Sequence, residues 1–243
     1  MKKNDIENGI LYRYTGNNPH VVIPKRVTKI GDGSFAYNYG LESIKILSGV
    51  TKIGNNAFCY CANLKSIDIP NSVTSIGDNA FQGCKNLKSI KITDGVTEIG
   101  ETAFRGCDNL ASIQIPSSLT YIGHCAFEWI KQVKPQYNNG KLRAFKAFYK
   151  DWTCRGFQYE VGKTYHQDGK IECCINGFHA CTIPLNVFNY YHGELSNLHF
   201  AEVELSGTIK FSNTYEKVAA SDIKIVRELT VQELFEIYNS MEK

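Results

Sequence analysis

The sequence predicts an α+β protein in which a short solenoid of repeats precedes a small mixed α+β domain. The first supporting observation is a 23-residue period that runs from residue 27 to residue 130. The second is the loss of that period afterwards, where strand-like runs and a final amphipathic helix follow. We therefore divide the chain into an N-terminal cap (1–26), a repeat region (27–130), a basic linker or hairpin (131–143) and a C-terminal domain (144–243).

The repeat is defined by its apolar columns. Full copies begin at Val27, Val50, Val73 and Val96, and a partial fifth copy begins at Leu119. The second copy reads VTKIGNNAFCYCANLKSIDIPNS. One such coil cannot bury its own apolar edge, so equivalent side chains of successive coils are predicted to stack. The phenylalanines of one column are Phe35, Phe58, Phe81, Phe104 and Phe127.

Each coil carries three further predicted features. The V-T-x-I-G and L-x-S-I-x-I segments alternate and are predicted to form two short strands. The residues between them, 55–61 in the second copy, are predicted to form a short helical turn that carries phenylalanine inward. The glycine that ends the first segment is predicted to have a positive φ, because the chain must turn there. This glycine recurs as Gly31, Gly54, Gly77, Gly100 and Gly123.

The columns resemble the BspA-like class of leucine-rich repeats, whose pattern is close to V-T-x-I-G-x-x-A-F-x-x-C-x-x-L-x-x-I-x-I-P. The resemblance covers residues 20–130 and holds in register through four copies. It implies a leucine-rich-repeat solenoid that serves adhesion or protein–protein contact, with no catalysis by the repeat itself. Many proteins with this repeat are secreted or surface-bound.

One column of the repeat holds Cys61, Cys84 and Cys107. A metal or redox ladder is one interpretation of this column. A row of small buried thiols, packed as apolar residues would be, is the other. We favour packing, because repeats of this class take Cys or Asn at the position.

The outward positions of the L-x-S-I-x-I strands define a surface that the solenoid can offer to a partner. This surface has mixed charge and few aromatic anchors, although interface hot spots favour Trp, Tyr and Arg. We predict it as the binding face, and the alternative is that it is only solvated scaffold. The predicted binding residues are Lys45, Asp68, Lys91 and Gln114 in one row and Lys65 and Lys88 in the next.

Composition bears on the partners and the cellular location of the protein. The net charge of +3 is too small to favour a nucleic-acid partner by itself. No apolar run reaches the roughly 18–20 residues that span a bilayer, and no apolar segment follows Lys2 and Lys3 as a secretion signal would. We therefore expect no membrane association, an intracellular protein, and nine cysteines that remain thiols.

A basic run crosses the end of the repeats, with no acidic residue between its members. Its residues are Lys131, Lys134, Lys141, Arg143, Lys146 and Lys150. An Asn139-Gly140 turn signal lies within it, flanked by strand-like segments. The run either attracts phosphate or an acidic partner or forms a solvated hairpin. We favour the hairpin and retain Lys141, Arg143 and Lys146 as candidate binding residues.

The C-terminal domain is predicted to consist of short strands, glycine turns and two helices. In the strand FAEVELSG, Glu202 and Glu204 share one face. TIPLNVFNYY is predicted as a helix that is entered through Thr182. The final segment, TVQELFEIYNSMEK, is predicted as a helix with a capping box between Thr230 and Glu233. Its apolar stripe, Val231, Leu234, Phe235, Tyr238 and Met241, is predicted to dock on its own domain.

Four segments of this domain, over residues 144–229, resemble a domain of unknown function that recurs in phage and prophage proteins. They are KAFYKDWTCRGFQYEVGKTY, GFHACTIPLNVFNYY, FAEVELSG and KVAASDIKI. The resemblance implies a mobile-element protein that acts in the cytoplasm of a bacterial host cell. It brings no known active site.

The segment CCINGFHACTIPLNVFNYY, residues 173–191, has four interpretations. Cys173, Cys174, His179 and Cys181 supply zinc-ligand types, but without C-x₂-C or H-x₃-H spacing. His179 and Cys181 are two apart, so on one strand face they could act as base and thiol nucleophile. We favour packing in a small core, with His179 hydrogen-bonded to backbone, and expect no metal.

The fourth interpretation is a faint resemblance of GFHAC, FNYY and FAEVELSG to the cofactor half of ADP-ribosyltransferases. That resemblance implies NAD as cofactor, an aromatic or histidine side chain that stacks on it, and a glutamate that polarises the ribose. The nearest equivalents are His179, Tyr190 or Tyr191, and Glu202 or Glu204, with Arg155 or His166 on earlier segments.

Two functions follow from these observations. The favoured one is a cofactor-free protein that binds another protein, most specifically a phage-encoded modulator or inhibitor of a host bacterial system. The competing one is an enzyme or nucleotide-binding protein whose C-terminal domain acts on an NAD-type ligand. Its candidate catalytic residues are His179, Cys181, Glu202, Glu204, Tyr191 and Arg155.

Overall fold

The structure is a computed structural model that describes residues 5–128, 135–213 and 216–241. The chain folds as two compact units, Met1–Trp129 and Ile130–Lys243, each with its own buried core. Within the described ranges, no helix has the length and apolar character that crossing a membrane requires.

The first unit is a short solenoid of about five turns, as the repeat predicts. In chain order its strands are β1 (Ile6–Glu7), β2 (Ile10–Leu11), β3 (His20–Val22), β4 (Lys29–Ile30), β5 (Ser43–Lys45), β6 (Lys52–Ile53), β7 (Ser66–Asp68), β8 (Ser75–Ile76), β9 (Ser89–Lys91), β10 (Glu98–Ile99), β11 (Ser112–Gln114) and β12 (Tyr121–Ile122). Strands β2, β4, β6, β8, β10 and β12 follow one another in one parallel sheet, which the antiparallel β1–β2 hairpin ends. Strands β3, β5, β7, β9 and β11 form a second parallel sheet.

Strand register follows the 23-residue period. Ile44 pairs with Ile67, and the other equivalent isoleucines of both sheets pair in the same way. The segment predicted as a cap contributes strands of its own, since Leu11 pairs with Ile30 and Val21 pairs with Ile44. Residues 6–22 therefore extend both sheets by one coil.

The phenylalanine column forms a continuous buried stack. Successive ring centroids from Phe35 to Phe127 are 5.1, 5.2, 5.3 and 5.7 Å apart, and the ring planes are within 17° of parallel. Tyr14 extends the stack, with its centroid 5.0 Å from that of Phe35. Because each buried phenylalanine contributes about 1.5–3 kcal/mol, the stack joins neighbouring coils into one folding unit.

The segment between the two strands of a coil is a series of turns, and the predicted helical turn is wrong. Alternate N–H groups donate to the carbonyl three residues back, as in a turn. The N–H groups between them donate to the next coil: Asn56 to Asp78, Phe58 to Ala80 and Tyr60 to Gln82. A helix would use all of these donors within one coil, so stacking replaces it.

The prediction of positive φ for the recurring glycines is also wrong. Positive φ occurs later in the coil, at Asn56 (+55°) and Tyr60 (+58°). The glycines are required for space instead. A Cβ placed on Gly77 would lie 2.7 Å from the backbone nitrogen of Asn55 in the preceding coil, closer than real Cβ contacts come.

Strands are the main secondary structure of the second unit. They are β13 (Tyr137–Asn138), β14 (Lys141–Tyr149), β15 (Thr153–Cys154), β16 (Phe157–Gln158), β17 (Thr164–His166), β18 (Phe178–Cys181), β19 (Gly193–Glu194), β20 (Leu198–Phe211) and β21 (Lys217–Leu229). Strand β14 pairs with β18 and β20, and β21 pairs with the same two strands, so these four strands close into a ring. Strand β17 pairs with the free part of β21.

The predicted Asn139-Gly140 turn is present. Both residues have positive φ, +49° and +77°, which matches the twist of a two-residue hairpin loop between β13 and β14. Strand β14 continues from this hairpin into the core. Leu142, Ala144 and Phe148 on one of its faces are buried in the main apolar cluster of the unit.

Among the described residues of the second unit, helix is limited to one α-helix and two 3₁₀ helices, so the α+β class is only partly supported. TIPLNVFNYY forms a 3₁₀ helix, Pro184–Asn189, instead of the predicted α-helix. Its N-cap, Ile183, has no side-chain oxygen with which to cap the first turn. A second 3₁₀ helix spans Leu195–Asn197.

The predicted C-terminal helix is confirmed as α1 (Val231–Ser240). Thr230 and Glu233 form the predicted capping box, since each side chain bonds the backbone N–H of the other. Leu234, Phe235 and Tyr238 are buried, and the Phe235 ring lies 6.1 Å from that of Phe188 in the 3₁₀ helix. The stripe docks on its own unit, as predicted.

Candidate functional site

The predicted solenoid face is exposed in the structure. Its six residues, Lys45, Asp68, Lys91, Gln114, Lys65 and Lys88, are all exposed. Charge alternates along the first row, because Asp68 pairs in register between Lys45 and Lys91. Lys65 Nζ lies 2.6 Å from Glu42 Oε2, an exposed ion pair. Binding by this face stays a prediction.

A second exposed surface of the solenoid, which the sequence analysis did not single out, lies on the turns between the two strands of a coil. It consists of Tyr37, Tyr39 and Tyr60, and we call it the tyrosine edge. Tyr37 and Tyr39 are each 59% exposed and Tyr60 is 38% exposed. The rings of Tyr37 and Tyr60 stack with centroids 5.3 Å apart. This edge supplies the aromatic side chains that the sheet face lacks.

The backbone of the tyrosine edge is unusual. Tyr37 and Tyr60 have φ of +60° and +58°, whereas the equivalent residues of the next coils are glycines, Gly83 and Gly106, both at +70°. Bulky residues in this region are outliers that cost about 1–2 kcal/mol each. Neither side chain is buried, so core packing does not explain their retention.

The cysteine column is buried and packs as the sequence predicts. Each thiol donates to the carbonyl of a phenylalanine 26 residues earlier, for example Cys84 Sγ to Phe58 O at 3.2 Å. Burial raises the pKa of Cys61 to about 12 and also raises those of Cys84 and Cys107. All nine cysteines of the chain are free thiols.

The basic run does not form one surface. Lys131 and Lys134 lie outside the described residues. Lys141 and Arg143 pair with acids of β20: Lys141 Nζ is 3.4 Å from Glu204 Oε2, and Arg143 Nε is 2.6 Å from Glu202 Oε1. Lys146 turns inward and is only 5% exposed, because it shares the buried face of β14 with Ala144 and Phe148.

Lys146 lines a cavity of the second unit, which has a volume of about 410 Å³ and which we call the Lys146 cavity. Its wall also includes the polar side chains of Cys154, Arg155, His179, Tyr191 and Lys217. A neighbouring cavity of about 260 Å³ shares Lys146, Cys154, Arg155 and His179. The structure thus brings together four of the six predicted catalytic candidates: His179, Cys181, Tyr191 and Arg155.

A tight hairpin brings two of these residues to the cavity. Cys154 ends β15, and the loop to β16 consists of Arg155 and Gly156, with φ of +51° and +75°. A two-residue hairpin loop of this type requires positive φ at both positions and normally takes Asn, Asp or Gly first. Arginine at that position is therefore strained and is held at the cavity wall.

Cys154 has two polar neighbours in the cavity. Its sulfur lies 3.3 Å from Lys146 Nζ and 2.7 Å from the hydroxyl of Tyr191. Lys146 Nζ also donates to the carbonyl of His179 at 2.8 Å. Burial lowers the pKa of Lys146, while burial and the contact with Cys154 raise that of Tyr191.

His179 is a neutral hydrogen-bond acceptor. Its Nε2 accepts the backbone N–H of Cys174 at 2.8 Å, so the proton of the neutral ring is on Nδ1. Burial, followed by the charges of Arg155, Lys217 and Lys146, lowers the pKa of His179 to about 4. The backbone bond agrees with the packing interpretation.

Cys181 lacks the features of an activated nucleophile. Burial raises its pKa to about 12, and Nε2 of His179, the nearest candidate base in sequence, is already occupied. Cys173 and Cys174 lie with their sulfur atoms 3.8 Å apart. Among the described residues, no group of three or more His, Cys, Asp or Glu side chains could hold a metal ion.

Three residues of the ADP-ribosyltransferase-like interpretation lie elsewhere. Glu202 binds Arg143 and Arg227, and Glu204 binds Lys141, so neither lines the Lys146 cavity. His166 is exposed, with Nδ1 2.7 Å from Asp222 Oδ1. The structure does not assemble a glutamate with His179 in that cavity.

Sequence reasoning missed Cys154, Lys217 and the inward position of Lys146. No spacing relates these residues, because Lys146 lies on β14, Cys154 on β15 and Lys217 on β21. The one available signal was the Arg155-Gly156 turn between two strand-like runs, which predicts a tight loop but no cavity.

The fold of the first unit places the chain among solenoid repeat proteins. The model of the BspA type Leucine rich repeat region matches residues 4–134 in six copies, more than half of the sequence. The chain belongs to this family. A second model, described as Domain of unknown function (DUF7666), matches residues 142–237. No curated protein matches the chain.

Several solved structures resemble the repeat unit. A leucine rich repeat protein of T. pallidum is 30% identical over 49% of this chain and 57% of its own, with a TM-score of 0.48. A leucine rich cell surface protein of Faecalibacterium prausnitzii is 37% identical over 49% of this chain and 35% of its own, with a TM-score of 0.46. The chain spans less than two thirds of the length of either protein.

Proposed function

We propose that this protein binds another protein through the tyrosine edge of its solenoid. Leucine-rich-repeat proteins are generally protein-interaction modules, and this chain belongs to such a family. The observation that carries the proposal is the pair Tyr37 and Tyr60, exposed, mutually stacked and held at a φ that the next coils give to glycine. Exposed aromatic residues are the common anchors of protein interfaces.

The conformational cost of the positive φ at Tyr37 and Tyr60 supports the same proposal. Strained residues persist where the surrounding structure holds them, and they cluster at binding and active sites. Gly83 and Gly106 show that the fold accepts glycine at this position in other coils. Tyrosine is thus retained at Tyr37 and Tyr60 against the backbone preference, and partner contact is a function that would retain it.

The test replaces both tyrosines with the residue that the neighbouring coils use. Tyr37→Gly and Tyr60→Gly together remove the rings but relieve two strained positions, so the melting temperature should change by no more than a few degrees. Capture of partner proteins from the native host by the tagged full chain should fall at least tenfold. The matched control is Lys45→Gln, Asp68→Asn and Lys91→Gln, which neutralises the sheet face and should leave capture unchanged.

Two results would overturn the assignment of this edge. Capture that survives the double tyrosine change but is lost with the control would move the interface to the sheet face. Capture that neither set of changes weakens would remove the solenoid from the interface.

The narrower form of this proposal is a phage- or prophage-encoded modulator of a host bacterial system that acts in the cytoplasm. Its support is the resemblance of residues 144–229 to phage-associated sequences. Fractionation of the native host tests the location. Recovery of the protein from the culture medium or the cell envelope would contradict a cytoplasmic role.

The second candidate function is an enzyme or small-molecule-binding protein that uses the C-terminal unit. The observation that favours it is the Lys146 cavity, which gathers His179, Tyr191 and Arg155. NAD remains the predicted ligand of this alternative, although Glu202 and Glu204 are engaged in ion pairs outside the cavity. Protection of the protein against thermal unfolding by NAD would support it.

A further inference from the structure

Three cations converge on the Lys146 cavity without acidic partners in its wall. Lys146, Arg155 and Lys217 all line it, and the lining contains no aspartate or glutamate. None of the three takes part in an ion pair within the described residues. Glu216 precedes Lys217 in sequence but does not line the cavity. The cavity wall is therefore strongly positive.

Lys146 differs from the other two cations because it is buried. Its side chain is 5% exposed, and its polar neighbours are a carbonyl and a sulfur, with no carboxylate. Burial of an uncompensated cation is costly, and lysines in such places are normally paired. An apolar side chain would fit the same face of β14, which otherwise carries Leu142, Ala144 and Phe148. The fold alone does not require a lysine here.

The three cations face one volume, because all of them line the same cavity. Arg155, Lys217 and Lys146 each lower the pKa of His179, which also lines the cavity. The walls between the cations are aromatic, with Phe145, Tyr190 and Tyr191 among them. Lys217 Nζ lies over the Tyr190 ring, 4.2 Å from its centroid, so this cation is positioned on the wall.

We propose that the Lys146 cavity binds a small organic anion whose phosphate or carboxylate group contacts Lys146, Arg155 and Lys217. The volume of about 410 Å³ is within the range of small-molecule sites. Ammonium and guanidinium groups are the usual partners of both anions, and a buried cation strengthens the contact. The aromatic walls fit a ligand with a flat apolar part next to its anionic group.

The experiment measures the melting temperature of the full chain with four probes: AMP, adenosine, orthophosphate and benzoate. AMP and adenosine differ only in the phosphate, so stabilisation by AMP alone isolates that group. We expect AMP to raise the melting temperature in proportion to the logarithm of its concentration above the dissociation constant. Stabilisation by orthophosphate would assign the site to phosphate, and stabilisation by benzoate without AMP would assign it to carboxylates.

Three variants test whether the response belongs to this cavity. Lys146→Met and Lys217→Gln should each lower the affinity for the probe that stabilises the wild type by about tenfold or more. This is the usual contribution of a hydrogen bond to a charged group. Lys146→Met should also keep or raise the melting temperature without ligand, because it removes a buried cation. Lys210→Gln is the matched control, since Lys210 is an exposed lysine of β20 that lines neither cavity.

The proposal is overturned by any of three outcomes. In the first, none of the three anionic probes stabilises the protein. In the second, adenosine stabilises it as much as AMP does. In the third, the anion response is the same in all three variants as in the wild type. Lys217→Gln keeps the test decisive if Lys146→Met does not fold, because Lys217 is not a core residue.

Discussion

Cysteines occupy buried positions in both units, but their surroundings differ. Cys84 in the solenoid is completely buried, and its thiol donates to a backbone carbonyl in the preceding coil. Cys154 in the second unit is 4% exposed, yet its neighbours are the ammonium of Lys146 and the hydroxyl of Tyr191 at a cavity wall. The hydrogen bond of Cys84 joins two coils of the solenoid. The polar groups around Cys154 line a cavity, where a ligand can reach them.

The same difference holds for the charged groups. The cations of the sheet face are exposed, and Lys65 pairs with Glu42. In the second unit Lys146 is buried without an acid, and Arg155 is held in a strained turn. The regularly stacked solenoid has its variable residues on the surface, where a macromolecule can reach them. The irregular unit places its unpaired charges around a cavity, which suits a small molecule.

The largest expected effect tests the collective stability of the solenoid. Phe81→Ala removes a ring that stacks on Phe58 and Phe104 at 5.2 and 5.3 Å. We expect a loss of about 3–5 kcal/mol in the free energy of unfolding, the usual cost of emptying a buried phenylalanine site. Hydrogen exchange should show lost protection throughout the repeats and retained protection in β20 and β21.

The exposed change Lys91→Gln serves as the control and should remain within about 0.5 kcal/mol of the wild type. A loss below about 1 kcal/mol for Phe81→Ala would mean that neighbouring coils do not share their stability.

A smaller effect separates two uses of glycine within the solenoid. Gly77→Ala places a Cβ against the backbone of Asn55, so overpacking should cost about 1–3 kcal/mol. Gly106 has a φ of +70° but room for a Cβ, which would meet its nearest neighbour at an ordinary contact distance of 3.6 Å. Gly106→Asn should cost less than Gly77→Ala, since asparagine tolerates this φ. Equal urea midpoints for the two variants would contradict the assignment of separate causes.

The smallest effect concerns His179 and the pH dependence of stability. Its pKa is about 4 in the fold and near 6.5 in the unfolded chain, so the unfolded state binds more protons between these values. Stability from the neutral ring is therefore complete above pH 6.5 and declines as pH falls towards 4. We expect wild type to lose about 1–2 kcal/mol more than His179→Gln over this window. Parallel curves from urea titrations at each pH would show that His179 does not titrate as described.

The repeat architecture was predictable because one period controls several properties at once. A column that recurs every 23 residues, such as the one that contains Phe58 and Phe81, must also be a row of touching side chains. The same reasoning failed for Gly77, because sequence does not distinguish a glycine needed for φ from one needed for space. It also failed for residues 55–61, where bonds to the next coil compete with a local helix.

The candidate sites were harder to predict. The basic run suggested solvent exposure for Lys146, and only the alternation of β14 around the buried Ala144 and Phe148 turns it inward. Cys154 reaches the cavity through a hairpin whose contacts are not periodic. Tyr37 and Tyr60 form part of a column, but their exposure depends on a positive φ, and the repeat pattern does not predict a positive φ at this position.

The occurrence of both tyrosine and glycine in one column has a consequence for how such proteins diversify. Tyr37, Tyr60, Gly83 and Gly106 occupy equivalent places, and the phenylalanine stack beneath them continues without interruption. A coil can therefore exchange this residue while the stack beneath it is preserved. The exchange also depends on the neighbouring coil, since a Cβ built on Gly83 would lie 2.6 Å from Cδ1 of Tyr60. Duplication of a coil would add another variable position at a spacing of about 4.8 Å, so new recognition surfaces can be composed by copying and editing a single module.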